Sequence, residues 1–232
     1  MLVVLLAMLV LLVFVMPLLP LDETARIAVD LFFSLVLLSG IATLSRTVWG
    51  WRVGTAVATV ALLVRLADRL VPGLTLSKWD ALLTLAAEGF LAAVLAAQLF
   101  REAGHVTIYR VGGAVVVYLL LGQMWVNAYW FIELLHPGAF HFQTAPAVAT
   151  DTFGRLVYFS FATLSTVGYG DVLPLRPVAR SLANLEALTG QLYPAILIAR
   201  LVAMEIDSRR DRRAGDRKSH LSERGLDTSK EE

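Results

Sequence analysis

Long apolar stretches separated by short polar breaks dominate this sequence. Each of six stretches is close to or above the roughly 20 residues with which an α-helix crosses about 30 Å of hydrocarbon. The predicted spans cover residues 2–20, 24–45, 50–71, 78–100, 106–135 and 178–205. A shorter helix, predicted at about 152–164 with Asp151 as a possible N-cap, cannot span and is expected to re-enter the membrane from one side. The pattern predicts an all-α membrane protein with six transmembrane helices and a re-entrant half-helix between the fifth and sixth.

Composition agrees with a membrane protein and excludes several other classes. Hydrophobic residues make up 57% of the chain and charged residues 17%, against about 25% charged residues in ordinary soluble domains. The absence of cysteine excludes disulfides and thiol chemistry, and the net charge of +1 argues against a nucleic-acid-binding protein. The first stretch has no basic segment before it and no small-residue cleavage site, so it is expected to remain as a span.

The chain divides into three predicted parts. Residues 1–105 form a four-helix unit, residues 106–206 hold the fifth span, the half-helix and the last span, and residues 207–232 form a charged tail expected to be disordered. Basic residues in the tail and in two interhelical loops favour a multi-pass protein of the cytoplasmic membrane with both termini in the cytoplasm. Four aromatic residues near the end of the fifth stretch are expected to form a belt at the membrane interface: Trp125, Tyr129, Trp130 and Phe131.

The stretch TLSTVGYGDVLP, residues 163–174, follows the half-helix and carries no side chain suited to catalysis. A non-helical backbone at membrane depth is tolerated only inside protein or beside a water-filled path. Gly168 and Gly170 permit backbone conformations closed to other residues, so successive carbonyls can face one side. Several copies around an axis can then replace the water shell of a cation. The C-terminal end of the half-helix adds about half a negative charge.

Residues 166–171, TVGYGD, resemble the selectivity filter of potassium channels, and residues 106–206 resemble the pore region of bacterial six-span potassium channels. The resemblance implies a channel rather than an enzyme, built from four copies of the chain around one axis. It implies no cofactor, with K⁺ as the permeant ion. The filter residues that it implies are Thr166, Val167, Gly168, Tyr169 and Gly170. The first four would bind K⁺ through their carbonyls, together with the Thr166 hydroxyl.

Four residues are predicted to support this filter. Ser165 and Asp171 flank it, and Asp171 either anchors the loop behind the filter or caps a turn. Tyr158 and Phe159 stand where many voltage-gated relatives carry two tryptophans. The Tyr158 hydroxyl is expected to reach Asp171 or Tyr169, with ordinary aromatic packing as the alternative.

The last span contains a predicted hinge and an acidic residue. Pro194 cannot donate to the carbonyl of Gly190 and crowds it, so a bend is expected there. In the family that the chain resembles, a glycine at this place serves as the gating hinge; a static bend is the alternative. Glu186 is expected to be a structural partner behind the half-helix, with a water-mediated role near the cavity as the other reading.

The first four spans do not match a voltage sensor. Voltage-gated channels carry an arginine at every third position of the fourth span, whereas residues 81–100 hold no basic residue. Strong voltage dependence is therefore not expected. Three intramembrane charges, Asp30, Arg65 and Glu88, are expected to pair within the four-helix unit, with a residual sensor as the alternative.

Two other functions remain open. One is a subunit of a potassium uptake transporter, although such proteins carry four related loops in one chain and this sequence has one. The other is a pore-like subunit that conducts only in a heteromeric channel. The expected partners in the leading interpretation are further copies of the chain, membrane lipid and K⁺, without nucleic acid.

Overall fold

The computed structural model describes residues 2–15, six separate positions between 56 and 67, and residues 77–101, 108–143 and 152–228. Several predicted features lie outside this part of the chain: the second span, the Asp30–Arg65 pair and Asp151. The third predicted span lies largely outside it as well. The described elements are mostly helical. In chain order they are α1 (Leu2–Val10, continued by a π-helical turn over Leu11–Val15), α2 (Ser77–Arg101), α3 (Ile108–Leu135), β1 (Phe140–Phe142), α4 (Thr152–Leu164), β2 (Val172–Pro174) and α5 (Pro177–Thr228).

Three helices of the described part are long and apolar enough to cross a membrane. They contain Ser77–Leu99, Arg110–Leu135 and Pro177–Ile206, which correspond to the fourth, fifth and sixth predicted spans. Helix α4 occupies the place of the predicted half-helix and has 13 residues, too few to cross the hydrocarbon layer. The predicted bounds agree with these three apolar segments to within one residue, except at the start of the fifth span, predicted at residue 106 and found at Arg110.

Helix α3 is the central packing element because its two halves join different clusters. Its first half, around Val116 and Leu120, packs with α1 and α2 in one apolar cluster. Its second half, around Tyr129, packs with α4, the two strands and the start of α5 in another. The half-helix α4 is thus held against the second half of α3.

The predicted aromatic belt is wrong at two of its four positions. Trp125 and Tyr129 are only 6% and 0% exposed, and their rings stack within the second cluster with centroids 6.4 Å apart. The Tyr129 hydroxyl has a hydrogen-bond partner inside the protein, the carboxyl group of Glu186. An aromatic residue near the end of a span can therefore belong to the core instead of the interface.

The two short strands connect the end of α3 to the chain just after the TVGYG stretch. They pair antiparallel, with Phe140 opposite Pro174 and Phe142 opposite Val172. The pairing continues on one side with a hydrogen bond from Gln143 N to the Asp171 carbonyl at 2.9 Å. The backbone on the exit side of the TVGYG stretch is consequently tied to α3. Strands of three residues are too short to show in the hydrophobic pattern, where this region reads as a loop.

Helix α5 begins with Pro177, a favourable first helical residue, and continues to Thr228. The sequence predicts disorder from residue 207, so the helical backbone of this segment differs from that expectation. Seven of the 22 residues from 207 to 228 are Arg or Lys, which are good helix formers, whereas the expectation of disorder rests on the charge and the few apolar residues of the segment. An ion pair from Arg209 to Glu205, one turn apart at 2.8 Å, adds modest support at the start of the tail.

Candidate functional site

The C-terminal end of α4 carries the TVGYG stretch through a Schellman motif. Thr166 N donates to the Thr163 carbonyl at 2.9 Å, and Val167 N donates to the Ala162 carbonyl at 2.9 Å. These are the two hydrogen bonds of that motif, and they place Thr166 at the position that usually holds glycine in the left-handed conformation. Thr166 has the expected φ of 60°. The stretch therefore starts as the cap of the half-helix and is fixed to it from its first residue.

All four of the last carbonyls of α4, residues 161–164, accept hydrogen bonds. A helix end usually leaves such groups without intrahelical partners. Backbone N–H groups of residues 165–168 satisfy three of them. The fourth, on Leu164, accepts the Tyr118 hydroxyl from α3 at 3.2 Å. Ser165, predicted as a support residue, strengthens the cap by donating its hydroxyl to the Phe161 carbonyl at 2.6 Å.

Left-handed backbone conformations recur at every second residue of the stretch. Thr166, Gly168 and Gly170 have φ values of 60°, 54° and 79°, whereas Val167 and Tyr169 between them do not have positive φ. Alternation of left- and right-handed residues lets successive carbonyls face the same side of the chain, instead of opposite sides as in a strand. The two glycines were predicted to serve this purpose. Thr166 was not predicted to adopt a left-handed conformation, which costs a threonine about 1–2 kcal/mol more than a glycine.

The TVGYG side chains are not enclosed by the chain that carries them. Residues 165–170 are all exposed, with Val167 at 53% and Tyr169 at 71%. The TVGYG stretch thus lies on an open surface of the single chain. A cation held by backbone carbonyls of this stretch would need further ligands from other molecules.

Tyr158 lies beside the outer half of the stretch, as predicted. Its ring stacks on Tyr169 with centroids 6.0 Å apart and an interplanar angle of 12°. Burial, and then a hydrogen bond to Asp171, raise the pKa of the Tyr158 hydroxyl above its usual value near 10. This hydroxyl therefore donates throughout the range below pH 10, and the contact is lost only as the pH rises through the higher pKa of the folded protein.

Phe159, the other aromatic support residue, occupies a different environment. It is 8% exposed and meets Tyr129 and Phe140 edge to face, with centroids 5.1 Å and 5.5 Å away. Its neighbours come from α3 and β1 instead of the TVGYG stretch. Phe159 thus anchors α4 to the second apolar cluster and touches the predicted filter only through that helix.

Gly190 lies where α5 crosses the end of α4. A Cβ atom added at Gly190 would lie 1.8 Å from the Leu164 carbonyl oxygen and 2.7 Å from its carbon. This glycine is therefore required for the close approach of two backbones, whether or not it also bends. Pro194 lies inside a continuous α5, and the hinge remains a prediction. The sequence reasoning missed the contact because residues 164 and 190 are distant along the chain.

Glu186 lies on the same side of α5, one turn before Gly190, and is fully buried. Its two oxygens form hydrogen bonds with Tyr129 of α3 and with Ser160 of α4, the latter at 2.5 Å. Three elements of the site therefore meet at this carboxyl group, behind the half-helix. Neither Tyr129 nor Ser160 was predicted as a site residue, and no local pattern in the sequence marks them.

Comparison with known proteins places this region in a known class. The family model "Ion channel" matches residues 104–206. The inward rectifier potassium channel Kirbac3.1 of Paramagnetospirillum magnetotacticum is 34% identical over 91 residues, 38% of this chain and 26% of that protein. Protein LctB of Bacillus caldotenax is 33% identical over 99 residues, 36% of this chain and 73% of that protein. LctB of Geobacillus stearothermophilus is 32% identical over the same length. The chain spans about a quarter of the inward rectifier, and no solved structure matches it.

Proposed function

Because this chain belongs to the ion-channel family, we propose that it is a potassium-selective channel that lets K⁺ pass passively across the cytoplasmic membrane. The observation that carries the proposal is the alternating left-handed backbone of residues 166–170, fixed to the end of a short helix between two membrane helices. Such a row of carbonyls can replace the hydration shell of K⁺. The comparisons support a channel and not an enzyme.

The proposed ligands of K⁺ are the carbonyl oxygens of residues 166–169 and the Thr166 hydroxyl. Residue 166 is a threonine, although glycine would adopt its left-handed conformation at a lower free-energy cost. A role of the Thr166 hydroxyl as a K⁺ ligand would explain why threonine stands there. The negative end of the α4 dipole, at the same place, favours a cation in the low-dielectric interior of the membrane. No ionisable side chain is needed for this site.

The proposed assembly is a homotetramer, with one carbonyl row from each chain. Only 11% of the most apolar part of α5 is buried in the single chain. Leu185, Leu188, Leu192 and Ile196 form an exposed stripe on it, each above half exposed. Their spacing places them on one face of the helix, and copies of the same chain would cover part of this face. Lipid would cover the rest, and both termini would lie in the cytoplasm.

The proposed channel is not strongly driven by voltage. In the apolar part of α2, residues 81–100, there is no basic side chain to move through the field. Glu88 on this helix is fully buried and accepts a hydrogen bond from Asn127 of α3 at 2.8 Å. That contact suits a fixed connection between α2 and the pore region better than a mobile charge.

We expect the purified chain, alone in liposomes with a K⁺ gradient, to carry K⁺ and to exclude Na⁺. The flux should change little between negative and positive voltage, because α2 lacks gating charges. Ion flux measured in K⁺ and in Na⁺ at several voltages, together with the mass of the assembly in detergent, tests the proposal. Equal Na⁺ and K⁺ flux would contradict selectivity. Flux that appears only after co-expression with a second channel chain would support the heteromeric alternative.

We expect Tyr158→Phe to make the K⁺ current decay about fivefold faster during sustained opening, the factor that corresponds to the ~1 kcal/mol of one partly exposed hydrogen bond. The substitution removes the contact with Asp171 and retains the ring that stacks on Tyr169. The decay rate in reconstituted channels is the measurement. A double-mutant cycle with Asp171→Ala, which removes the acceptor, provides the control, because Tyr158→Phe should have no further effect in that background. Additive effects would show that the two side chains act separately.

A further inference from the structure

The buried carboxyl of Glu186 is one of four hydrogen-bonding groups that meet behind α4. We call Glu186, Tyr129, Ser160 and the carbonyl of Gly122 the Glu186 cluster. Tyr129 and Ser160 contact different oxygens of the carboxyl group. Ser160 Oγ also lies 2.9 Å from the Gly122 carbonyl oxygen of α3. The close approach of α4 to α3 at Gly122, where a Cβ would lie 2.5 Å from the Phe161 ring, makes this second contact possible.

The three contacts of the cluster need three hydrogen atoms. Tyr129 and Ser160 each supply one hydroxyl hydrogen, and the Gly122 carbonyl is an acceptor only. If Ser160 donates to Glu186, its contact with Gly122 has no hydrogen; if it donates to Gly122, its contact with Glu186 has none. A proton on the Glu186 carboxyl group supplies the missing third hydrogen atom. Tyr129 then donates to one carboxyl oxygen, the other donates to Ser160, and Ser160 donates to Gly122.

The surroundings of Glu186 favour the same protonation. The side chain is fully buried, and among the described residues no Lys, Arg or His forms an ion pair with it. The titratable groups that face it are Tyr129 and Tyr118, both from α3. Two short hydroxyl contacts also occur with an ionised carboxylate. That form, however, would leave a buried charge without a cation among the described residues, and the Ser160–Gly122 contact without a hydrogen.

The geometry points to Glu186 as a neutral carboxylic acid that acts as a positioning residue for the filter. Its proton completes a chain of hydrogen bonds from α5 through α4 to α3. Ser160 lies one turn before Leu164, where α4 ends and the carbonyl row begins. The position of that row relative to α5 therefore depends on this proton. The inference rests on the proposed function for its effect on K⁺ flux, and on the hydrogen count for the protonation itself.

The test compares Glu186→Gln and Glu186→Ala with the wild-type protein reconstituted in liposomes. The glutamine amide can donate to Ser160 while its carbonyl accepts from Tyr129, so this variant should keep the wild-type K⁺ flux and melting temperature. Alanine leaves both hydroxyls without their shared partner and should lower the flux about tenfold. The infrared difference spectrum between wild type and Glu186→Gln should contain the C=O band of a protonated carboxylic acid. The matched control, Glu205→Gln on the exposed part of α5, should show no such band, because Glu205 pairs with Arg209.

Separate outcomes overturn the two parts of the inference. Absence of the band, with Glu186→Gln as impaired as Glu186→Ala, would show that Glu186 is ionised. A band together with wild-type flux and melting temperature in Glu186→Ala would remove the positioning role. If the wild-type protein carries no K⁺, the proposed function fails, while the infrared band still decides the protonation and the melting temperatures still decide the role in positioning α4.

Discussion

Replacement of Gly168 by alanine is expected to abolish K⁺ conduction. Gly168 has a φ of 54°, and no atom lies within 4 Å of the place where its Cβ would be. Glycine is therefore needed here for the backbone conformation, because a side chain would meet no crowding within the chain. A left-handed alanine costs about 1–2 kcal/mol, and in a tetramer four chains would bear that cost together. Relaxation to a right-handed conformation would turn one carbonyl of the row away from the axis. Flux of K⁺ in liposomes is the measurement.

The matched control for this substitution is Gly154→Ala. Gly154 lies in α4, also has no atom within 4 Å of an added Cβ, and has an ordinary helical φ. Alanine is the better helix former by about 1 kcal/mol, so this variant should conduct and should be slightly more stable. Wild-type selectivity in Gly168→Ala would show that the carbonyl row does not depend on left-handed backbone at this residue, and the proposed filter geometry would be wrong.

Replacement of Gly190 by alanine is expected to disrupt the junction of α5 and α4. The added Cβ would lie 1.8 Å from the Leu164 oxygen, where real contacts stay above 3.0 Å. The helices would have to separate by about 1 Å, and overpacking of this kind costs about 1–3 kcal/mol per chain or more. Because Leu164 lies two residues before Thr166, where the proposed filter begins, we expect both a lower melting temperature of the assembly and loss of K⁺ flux.

Two further variants separate this contact from a hinge. Gly89→Ala is the matched control, since its Cβ would meet only the flexible Met124 side chain at 3.4 Å, and it should be tolerated. Pro194→Ala tests the hinge, because it restores a backbone donor within α5 without approaching Leu164. A change in open probability with unchanged melting temperature in Pro194→Ala would support a hinge. Normal stability and flux in Gly190→Ala would contradict the close packing at Leu164.

Three of the predicted spans and the alternating backbone of the TVGYG stretch were predictable because their signals are local. Hydropathy over about 20 residues locates a membrane helix irrespective of its neighbours, and α2, α3 and α5 lie where it placed them. The carbonyl row uses the backbone of five consecutive residues, so the glycine pattern that permits it is visible in the sequence. The position of Tyr158 near Asp171 or Tyr169 was instead predicted from the resemblance to voltage-gated channels, which carry a tryptophan at this place.

The sequence by itself indicated the three described helices that are apolar enough to cross a membrane, and the backbone segment that resembles a cation filter. Only the tertiary structure decided how these segments are held together. Glu186 meets Tyr129 across 57 positions of the chain, and Gly190 meets the Leu164 carbonyl. Hydropathy shows that a helix face is buried but not which residue lies opposite, because that depends on how the helices cross. For the same reason Tyr129 was assigned to the membrane interface, although its hydroxyl belongs to the buried Glu186 cluster.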